Sequence, residues 1–325
     1  LNRGFAAPII LDAGLSQEEL AFLAANDPDP FNRWDAMNRL LIDAVHAQTR
    51  ARLLKTPEDV SPLVISAASK ILRDENLSPA FKAVALTMPG EKLVAEEDPL
   101  IDPHAVHAGW IAVRQAIGEK NISAFLETAQ ANIVEGPYEP TPEKAGKRAL
   151  RNLALGYAHA AGSPRAAIMI KDQFMTANNL TDKLAALHMM ANSQTPAKQD
   201  MEVDALKAWY HEPLLINKWL TIQATAPSFP GEARVLERVR ELTRCPFFSL
   251  KNPNNVYALL LGYFQQNPSE FHLADGSGYA FWAEMVLELN RINPQVAARV
   301  ARSLDNWRRY TPALAEKMHA ALESV

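Results

Sequence analysis

Two histidines one helical turn apart come nearest, by residue type and spacing, to a metal site in this sequence. His104 and His107 form the tetrapeptide H-A-V-H near the start of a predicted helix. Residues three positions apart share a helix face, and imidazole is a common zinc ligand. Glu96, Glu97 and Asp98 precede the pair and could add oxygen ligands. An all-α metalloenzyme is one hypothesis, although a solvated first turn of helix fits the pair better.

A further histidine begins an incomplete zinc motif. His211-Glu212 matches the first two positions of H-E-x-x-H, which places two histidines and a glutamate base on one helix face. The last position of the motif holds Leu215, and Pro213 prevents a continuous helix through the pair. No other H-E-x-x-H occurs in the sequence. We therefore expect no metal ligands in this chain.

Signatures of covalent catalysis are also missing. There is no G-x-S-x-G element, and Gly276-Ser277-Gly278 has no strand pattern before it. Cys245 is followed by Pro246 and two phenylalanines, which favours a packed thiol over an activated one. No glycine-rich phosphate loop with a following lysine appears. We predict no catalytic residue and no cofactor in this chain.

Proline placement shows which elements must position any functional side chain. Fourteen of the twenty-two prolines follow Ser, Thr, Asp or Asn. In such a pair the polar side chain accepts a hydrogen bond from a free N–H of the first helical turn, and proline suits the first helical position. The pairs predicted to begin helices are Asp29-Pro30, Ser61-Pro62, Ser78-Pro79, Asp102-Pro103, Thr141-Pro142, Ser163-Pro164, Thr195-Pro196, Asn252-Pro253, Asn293-Pro294 and Thr311-Pro312.

Other signals complete the helical pattern. Ser16 predicts a capping box with Glu19, Asn179 predicts the start of LTDKLAALHMMANS, and Pro213 and Pro230 predict helix starts without a cap. The helix after Asp102 is predicted to reach about residue 133, and another to span about 279–290. The total is about fifteen helices joined by short loops.

These elements predict an all-α fold, a curved solenoid-like array of antiparallel helix pairs without a strict repeat. Residues 7–11, APIIL, are the one place where we predict a strand. We assign residues 14–325 to the helical array. Trp34, Trp219 and Trp282 are predicted to be substantially buried.

Charge and composition exclude several partners. Thirty-three basic residues and thirty-seven acidic ones give a net charge of -4. A slightly acidic chain lacks the excess of positive charge that is typical of proteins binding nucleic acid or an anionic membrane. The arginines near 148–151 and 234–244 share their helices with acids, which favours solvated helix surfaces. No apolar run approaches ~18 residues. A single cysteine suits a reducing compartment, although a periplasmic protein without disulfides would have the same composition, and we expect a cytoplasmic location.

Three stretches resemble a known family. They are DPFNRWDAMNRL near the start, LTDKLAALHMMAN in the middle, and NPNNVYALLLGYFQQNPSEFHLADGSGYAFWAEMVLELNRINPQVAARV over residues 252–300. Together they are similar to the C-terminal helical domain of the bacterial zinc aminopeptidase N family, in order along nearly the whole chain. The opening RGFAAPIIL resembles the final strand of the β-sandwich domain that precedes this domain in the family. On this resemblance residues 1–13 are the tail of that β-sandwich, and the absence of an initial methionine is expected.

The resemblance implies a non-catalytic, gating function. In the family an N-terminal catalytic domain of the same polypeptide supplies the zinc ligands, the glutamate base and the exopeptidase motif. The C-terminal array closes over that domain and restricts access to short peptides and unfolded chain ends. The expected partners are therefore the catalytic domain and peptide substrates, and the expected zinc belongs to the catalytic domain.

The resemblance also implies three cavity-lining residues. Arg299 and Gln295 match cavity positions in N-P-Q-V-A-A-R, and Arg299 could meet the carboxylate or backbone of a peptide. Tyr257 stands where some relatives have a basic residue, so a second cationic contact is not expected there. The alternative for Arg299 is a helix-surface arginine near Asp305. The alternative function is a free-standing helical-repeat scaffold that binds a peptide or protein on its concave face.

Overall fold

The computed structural model of the chain describes residues 14–325. The predicted strand at 7–11, and with it the assignment of residues 1–13, lies outside the described residues. Residues 14–325 contain helices and no β-sheet. The all-α array predicted from the sequence is therefore confirmed for this part of the chain.

The helices follow one another with short connections. Their bounds are α1 Gln17–Asn26, α2 Pro30–Leu54, α3 Pro62–Arg73, α4 Pro79–Ala85, α5 Glu91–Glu97, α6 Pro103–Lys120, α7 Ile122–Ala131, α8 Pro142–Ala160, α9 Pro164–Thr176, α10 Leu180–Ala191, α11 Ala197–Trp209, α12 Pro213–Thr225, α13 Val235–Leu242, α14 Pro253–Val256, α15 Gly262–Gln266, α16 Pro268–Phe271, α17 Ser277–Ile292, α18 Pro294–Ala301 and α19 Pro312–Glu323. A π-helical turn, Tyr257–Leu261, joins α14 to α15, and two 3₁₀ turns, Arg302–Leu304 and Trp307–Arg309, precede α19.

Side-chain caps begin many of these helices, as predicted. The Ser16 hydroxyl accepts from the Glu19 amide at 3.2 Å, and the Ser16 amide donates to the Glu19 carboxylate at 2.8 Å. The Asp102 carboxylate accepts from two amides of the first turn of α6. Each such bond satisfies a backbone N–H that the helix leaves without a partner. The predicted long helix from 103 to 133 is wrong, because it divides at Asn121 into α6 and α7. The buried Asn121 side chain donates to the carbonyl of Ile117 at 3.0 Å, a local bond that competes with helix continuation.

Two predicted helix starts are displaced. Pro230 lies in a loop, and α13 begins only at Val235, where the Glu237 side chain accepts from the amide of Arg234. The Thr195-Pro196 pair precedes α11, but no side-chain cap forms there. Proline sets the backbone φ angle for a first helical residue, yet it does not by itself supply the missing hydrogen-bond acceptor.

The helices stack into a row that returns on itself. Helix α6 packs on α8, α8 on α10, α10 on α12, and α12 on α15. Helix α15 then packs on α16, and α16 contacts α6. The other helices flank this row: α2 packs on α6, α7 and α9 on α8, and α11 on α10 and α12. The predicted curved array is therefore closed into a ring by α6 and α16.

The predicted burial of the three tryptophans is confirmed for two of them. Trp282 is fully buried and Trp219 is 6% exposed. Trp34 is only half-buried, and its ring contacts the exposed Phe31 at 5.4 Å between centroids. The inward position on this turn of α2 is taken by Arg33, which donates to the carbonyls of α1 at its C-terminal end. Polar capping of α1 thus displaces the aromatic ring from the core.

Candidate functional site

The structure brings Arg299 and Tyr257 into contact. The guanidinium carbon of Arg299 lies 4.5 Å from the centre of the Tyr257 ring, a cation–π arrangement. Gln295 lies one helical turn before Arg299 on α18, and both side chains are exposed. The three residues predicted to line a cavity therefore form one surface, named here the Arg299 cluster (Tyr257, Gln295 and Arg299).

Local sequence explains how α18 presents this surface. The Asn293 side chain accepts from the amides of Gln295 and Val296, which fixes the start of the helix. Val296 and Val300 are buried, so they anchor α18 on α17. Residues four positions apart share a helix face. Gln295 and Arg299 consequently project together on the side away from the core.

Tyr257 is presented by an irregular segment. It is the first residue of the π-helical turn between α14 and α15, and Asn252 caps the short helix before it. The hydroxyl of Thr221 on α12 lies 3.2 Å from the carbonyl oxygen of Ala258, the next residue after Tyr257. π-Helical turns leave backbone groups unmatched and occur frequently at functional sites. Thr221 here ties the turn to the ring of helices.

In the described part of the chain, Arg299 has no acidic partner. Asp305, the predicted neighbour, instead receives a hydrogen bond from Arg302 at 3.0 Å. Arg299 forms no ion pair with any carboxylate among residues 14–325. Its guanidinium is therefore held by an aromatic face and keeps its N–H donors available to a ligand.

The two histidines of the metal hypothesis have different partners. His104 Nε2 lies 3.0 Å from the carbonyl oxygen of His272, and His107 Nδ1 lies 2.9 Å from a carboxylate oxygen of Glu91. Burial is the largest single effect on the pKa of His107 and lowers it. The hydrogen bond to Glu91 and the charges of Glu91 and Glu270 together outweigh burial, so the pKa is raised above its usual value. No group of three metal-ligating side chains occurs in the described part of the chain. These residues therefore do not fit a zinc site.

The remaining motifs have structural positions. His211 and Glu212 lie exposed between α11 and α12, so no helix runs through them. Gly276 precedes α17 in the left-handed conformation (φ 78°), and the element before it is the short helix α16. Burial raises the pKa of the partly buried Cys245 thiol, in agreement with a packed rather than an activated cysteine.

Two arginines predicted to be on solvated helix surfaces are instead packed. Arg148 is 4% exposed, donates to the carbonyl of Glu139 and stacks on the Tyr138 ring at 4.9 Å. Arg238 donates to backbone carbonyls at the end of α12. Backbone carbonyls, rather than acids, satisfy these guanidinium groups. A sequence pattern of acids on the same helix could not show that arrangement.

A groove on the ring was missed by sequence reasoning. Residues of α6, α8, α10 and α12 line it, including Trp110, Arg114, Gly156 and Lys218, and its volume is about 560 Å³. The one sequence signal was the spacing of Trp110 and Arg114, which places both on one helix face.

No described helix is long and apolar enough to cross a membrane.

One known protein-family model matches nearly all of the described chain. Residues 17–325 fit a family model described as "Domain of unknown function (DUF3458_C) ARM repeats". ARM repeats are stacked helical units, and the row of helices found here has that construction.

Three similar proteins carry the name Aminopeptidase N. The protein of Escherichia coli (strain K12) is 34% identical over 99% of this chain and 36% of its own length. Those of Caulobacter vibrioides and Haemophilus influenzae are 33% and 30% identical, each over 99% of this chain. The chain spans little more than a third of the length of these relatives.

A solved structure agrees with the sequence comparison. The crystal structure of Legionella pneumophila aminopeptidase A in complex with aspartic acid superposes with a TM-score of 0.85 and 25% identity. The match covers 99% of this chain and 38% of that one. The chain therefore belongs to the ARM-repeat family DUF3458_C, and its predicted resemblance to the C-terminal helical domain of bacterial aminopeptidase N is confirmed.

Proposed function

We propose that this chain is the non-catalytic C-terminal domain of a zinc aminopeptidase N, which closes over a catalytic domain and limits access to peptide ends. The observation that carries the proposal is the end-to-end match to little more than a third of three aminopeptidase N sequences. Zinc and the bond-breaking residues belong, on this proposal, to a catalytic domain of the same polypeptide. A cytoplasmic location is part of the same proposal.

The Arg299 cluster supports a peptide-facing surface. Arg299 has exposed N–H donors, and Gln295 adds an amide that both donates and accepts. Such groups suit the carbonyls and carboxylate of a peptide. The turn that carries Tyr257 is attached to the ring of helices, because the Thr221 hydroxyl of α12 contacts the carbonyl of Ala258. We assign this cluster to the wall of the substrate chamber.

A reconstitution assay tests the catalytic assignment. The 325-residue chain with added zinc should not hydrolyse alanine p-nitroanilide, whereas a mixture with the separately produced remainder of the polypeptide should do so. Genuine turnover by the chain alone would overturn the non-catalytic assignment. Failure of the two parts to associate would count against the domain relationship and favour the free-standing scaffold.

A size-selection assay tests gating. The assembled protein should release the N-terminal residue of a tetrapeptide and of an unfolded polypeptide, but not that of the same polypeptide when folded. Mass spectrometry of the products measures this directly. Equal rates on the folded and unfolded forms would contradict gating while leaving the catalytic assignment in place.

A further inference from the structure

The groove on α6, α8, α10 and α12 combines apolar walls with positive charge. Leu153, Leu184, Met189 and Ile222 contribute to the walls. Arg114 and Lys218 also line it, and none of the lining residues is acidic. A volume of about 560 Å³ is within the range of small-ligand sites. The groove is therefore complementary to an apolar molecule that carries an anion.

Arg114 is held in one position before any ligand binds. Its guanidinium carbon lies 5.5 Å from the centre of the Trp110 ring, and its Nη2 donates to the carbonyl of Gly156 at 3.0 Å. The Trp110 ring is fixed by a hydrogen bond from Nε1 to the carbonyl of Pro89 at 2.8 Å. A side chain at position 156 would press against Arg114, since a Cβ there would lie 3.0 Å from Nη2. This fixed geometry reduces the entropic cost of binding.

Among residues 14–325, no carboxylate neutralises the charge of Arg114. Neither Arg114 nor Lys218 forms an ion pair with a carboxylate among residues 14–325. The titratable groups that face Arg114 are Tyr157, His159 and His188. Burial, and then the charge of Arg114, lower the pKa of both histidines, and burial raises the pKa of Tyr157. At neutral pH all three are uncharged.

An enclosed cation without a counter-ion is unfavourable, because desolvation is not repaid by an ion pair. A planar guanidinium matches a carboxylate with two parallel hydrogen bonds. The apolar walls suit amino-acid side chains better than a polyphosphate, which needs several donors. The groove also includes Thr221, whose hydroxyl contacts the carbonyl next to Tyr257. It is thus continuous with the segment that carries the Arg299 cluster.

We propose that this groove binds the C-terminal carboxylate end of an apolar peptide, with Arg114 as the principal partner of the carboxylate and Lys218 as a second cation. The inference rests on the proposed function in taking a peptide as the ligand. The groove would be a second peptide-contact region besides the Arg299 cluster. It would bind the C-terminal end of the peptide, whereas an aminopeptidase cleaves at the N-terminal end.

Binding of an N-acetylated tripeptide, acetyl-Leu-Ala-Leu, tests the proposal in two forms, the free acid and the C-terminal amide. Isothermal titration calorimetry on the 325-residue chain should give at least tenfold tighter binding of the acid. Because the acetyl group blocks aminopeptidase cleavage, the measurement does not depend on hydrolysis or on reconstitution. Its failure is therefore distinguishable from failure of the proposed function.

Matched variants locate the carboxylate. Arg114→Met, which keeps the length of the stem, should remove the preference for the acid, and the exposed Lys218→Met should reduce it several-fold. Arg165→Met, at an exposed arginine on α9, should leave it unchanged. Circular dichroism and Tm establish whether each variant is folded. If Arg114→Met does not fold, the exposed Lys218→Met variant provides the test.

Three results of the peptide titrations would overturn the proposal, and a phosphate competition gives a fourth. They are equal binding of acid and amide, an acid preference that survives in folded Arg114→Met, and an acid preference lost in Arg299→Met but not in Arg114→Met. Inorganic phosphate at millimolar concentration serves as a competitor. A second acetylated peptide, of different sequence, is the reference competitor. If phosphate displaced the bound acid as effectively as this peptide does, the groove would be a general anion site and the peptide assignment would be wrong.

Discussion

Ile101 and Tyr310 form an isolated parallel β-bridge between an early and a late part of the chain. The Ile101 amide donates to the carbonyl of Arg309 at 2.7 Å, and the Thr311 amide donates to the carbonyl of Ile101 at 3.1 Å. Ile101 precedes α6 and Tyr310 precedes α19. The bridge therefore fastens the last helices to the same region where α16 closes the ring.

Loss of the Arg309 side chain should loosen this closure. Its Nη2 donates to the carbonyls of Glu96 and Asp98, both at 2.7 Å. Charged hydrogen bonds contribute about 1.5–3 kcal/mol, and part of this contact is exposed, so we expect Arg309→Met to lower the free energy of unfolding by about 1–2 kcal/mol. Urea unfolding measures it, and the exposed Arg308→Met is the control. Equal losses in both variants would contradict a specific closing contact.

A close crossing of α6 and α8 should not tolerate a side chain at Gly118. A Cβ at this position would overlap the carbonyl oxygen of Tyr157. Tyr157 is itself fixed, because it is buried and its hydroxyl donates to the carbonyl of Leu86 at 2.8 Å. Overpacking of this kind costs about 1–3 kcal/mol, so Gly118→Ala should lower Tm by several degrees.

Gly90→Ala is the matched control for that substitution. A Cβ at Gly90 would meet no atom within 4 Å, and the backbone there has a negative φ. Thermal unfolding followed by circular dichroism should show a much smaller change, of at most about 1 kcal/mol for the altered helix start. If the Gly118→Ala protein were as stable as the Gly90→Ala protein, α6 and α8 would be able to move apart without loss of unfolding free energy, and the prediction would be wrong.

The tryptophans should differ in their contribution to stability. Trp282 is fully buried and donates from Nε1 to the carbonyl of Val300, and Trp219 donates to the carbonyl of Glu202. Trp282→Ala and Trp219→Ala should each cost about 3–5 kcal/mol. Trp34→Ala should cost about 1–2 kcal/mol, since the ring is half-buried. Equal losses at all three positions in denaturant unfolding would contradict this order.

Local signals in the sequence predicted the helices well because each signal has a local cause. Ser16, Asp29 and Asn293 cap helices by bonds to amides two or three residues away. The division at Asn121 was missed because an asparagine within a helical pattern can project into solvent or bond to its own helix. Burial decides between the two, and burial depends on the packing of distant helices.

The closure of the ring and the charge of the groove could not be read from the sequence. Ile101 and Tyr310 lie in segments without a pairing pattern, and Arg114 resembles any helix-surface arginine until its neighbours are known. The contact between Arg299 and Tyr257 was expected only as proximity in one cavity. Long-range arrangement of helix rows decides all three, and local hydrogen bonding does not encode it.

A buried histidine should make stability depend on pH. His272 is 2% exposed, lies 2.9 Å from the Tyr279 hydroxyl, and has its pKa lowered to about 3, mainly by burial and further by the charge of His104. The unfolded chain binds this proton near pH 6.5. The contribution is therefore complete above pH 6.5 and is lost as the pH falls from 6.5 toward 3, with a slope of about 1.4 kcal/mol per pH unit.

The pH slope is measured by comparing the wild type with His272→Asn in urea between pH 4 and pH 6. The raised pKa of His107 acts in the opposite direction, and the comparison between the two proteins removes it. The variant should show the smaller slope, and the NMR signal of the His272 ring should remain that of the neutral form at pH 4.5. An imidazolium signal at that pH would contradict the linkage.

Substitution of Arg299 should weaken the binding of peptides without altering the chemistry of cleavage. In the reconstituted peptidase, Arg299→Met should raise KM for a tetrapeptide about tenfold, because one charged hydrogen bond contributes about 1.5–3 kcal/mol. It should leave kcat unchanged, since the side chain is proposed to line the wall of the chamber and not to contact the scissile bond. Alanine p-nitroanilide has a single amino-acid residue and no peptide chain that could contact the cluster on this proposal, so it should be hydrolysed at the wild-type rate. Arg291→Met, at an exposed arginine on the neighbouring helix α17, is the control. A fall in kcat for both substrates would place Arg299 in a different role, and unchanged kinetics for the tetrapeptide would remove the cluster from the substrate path.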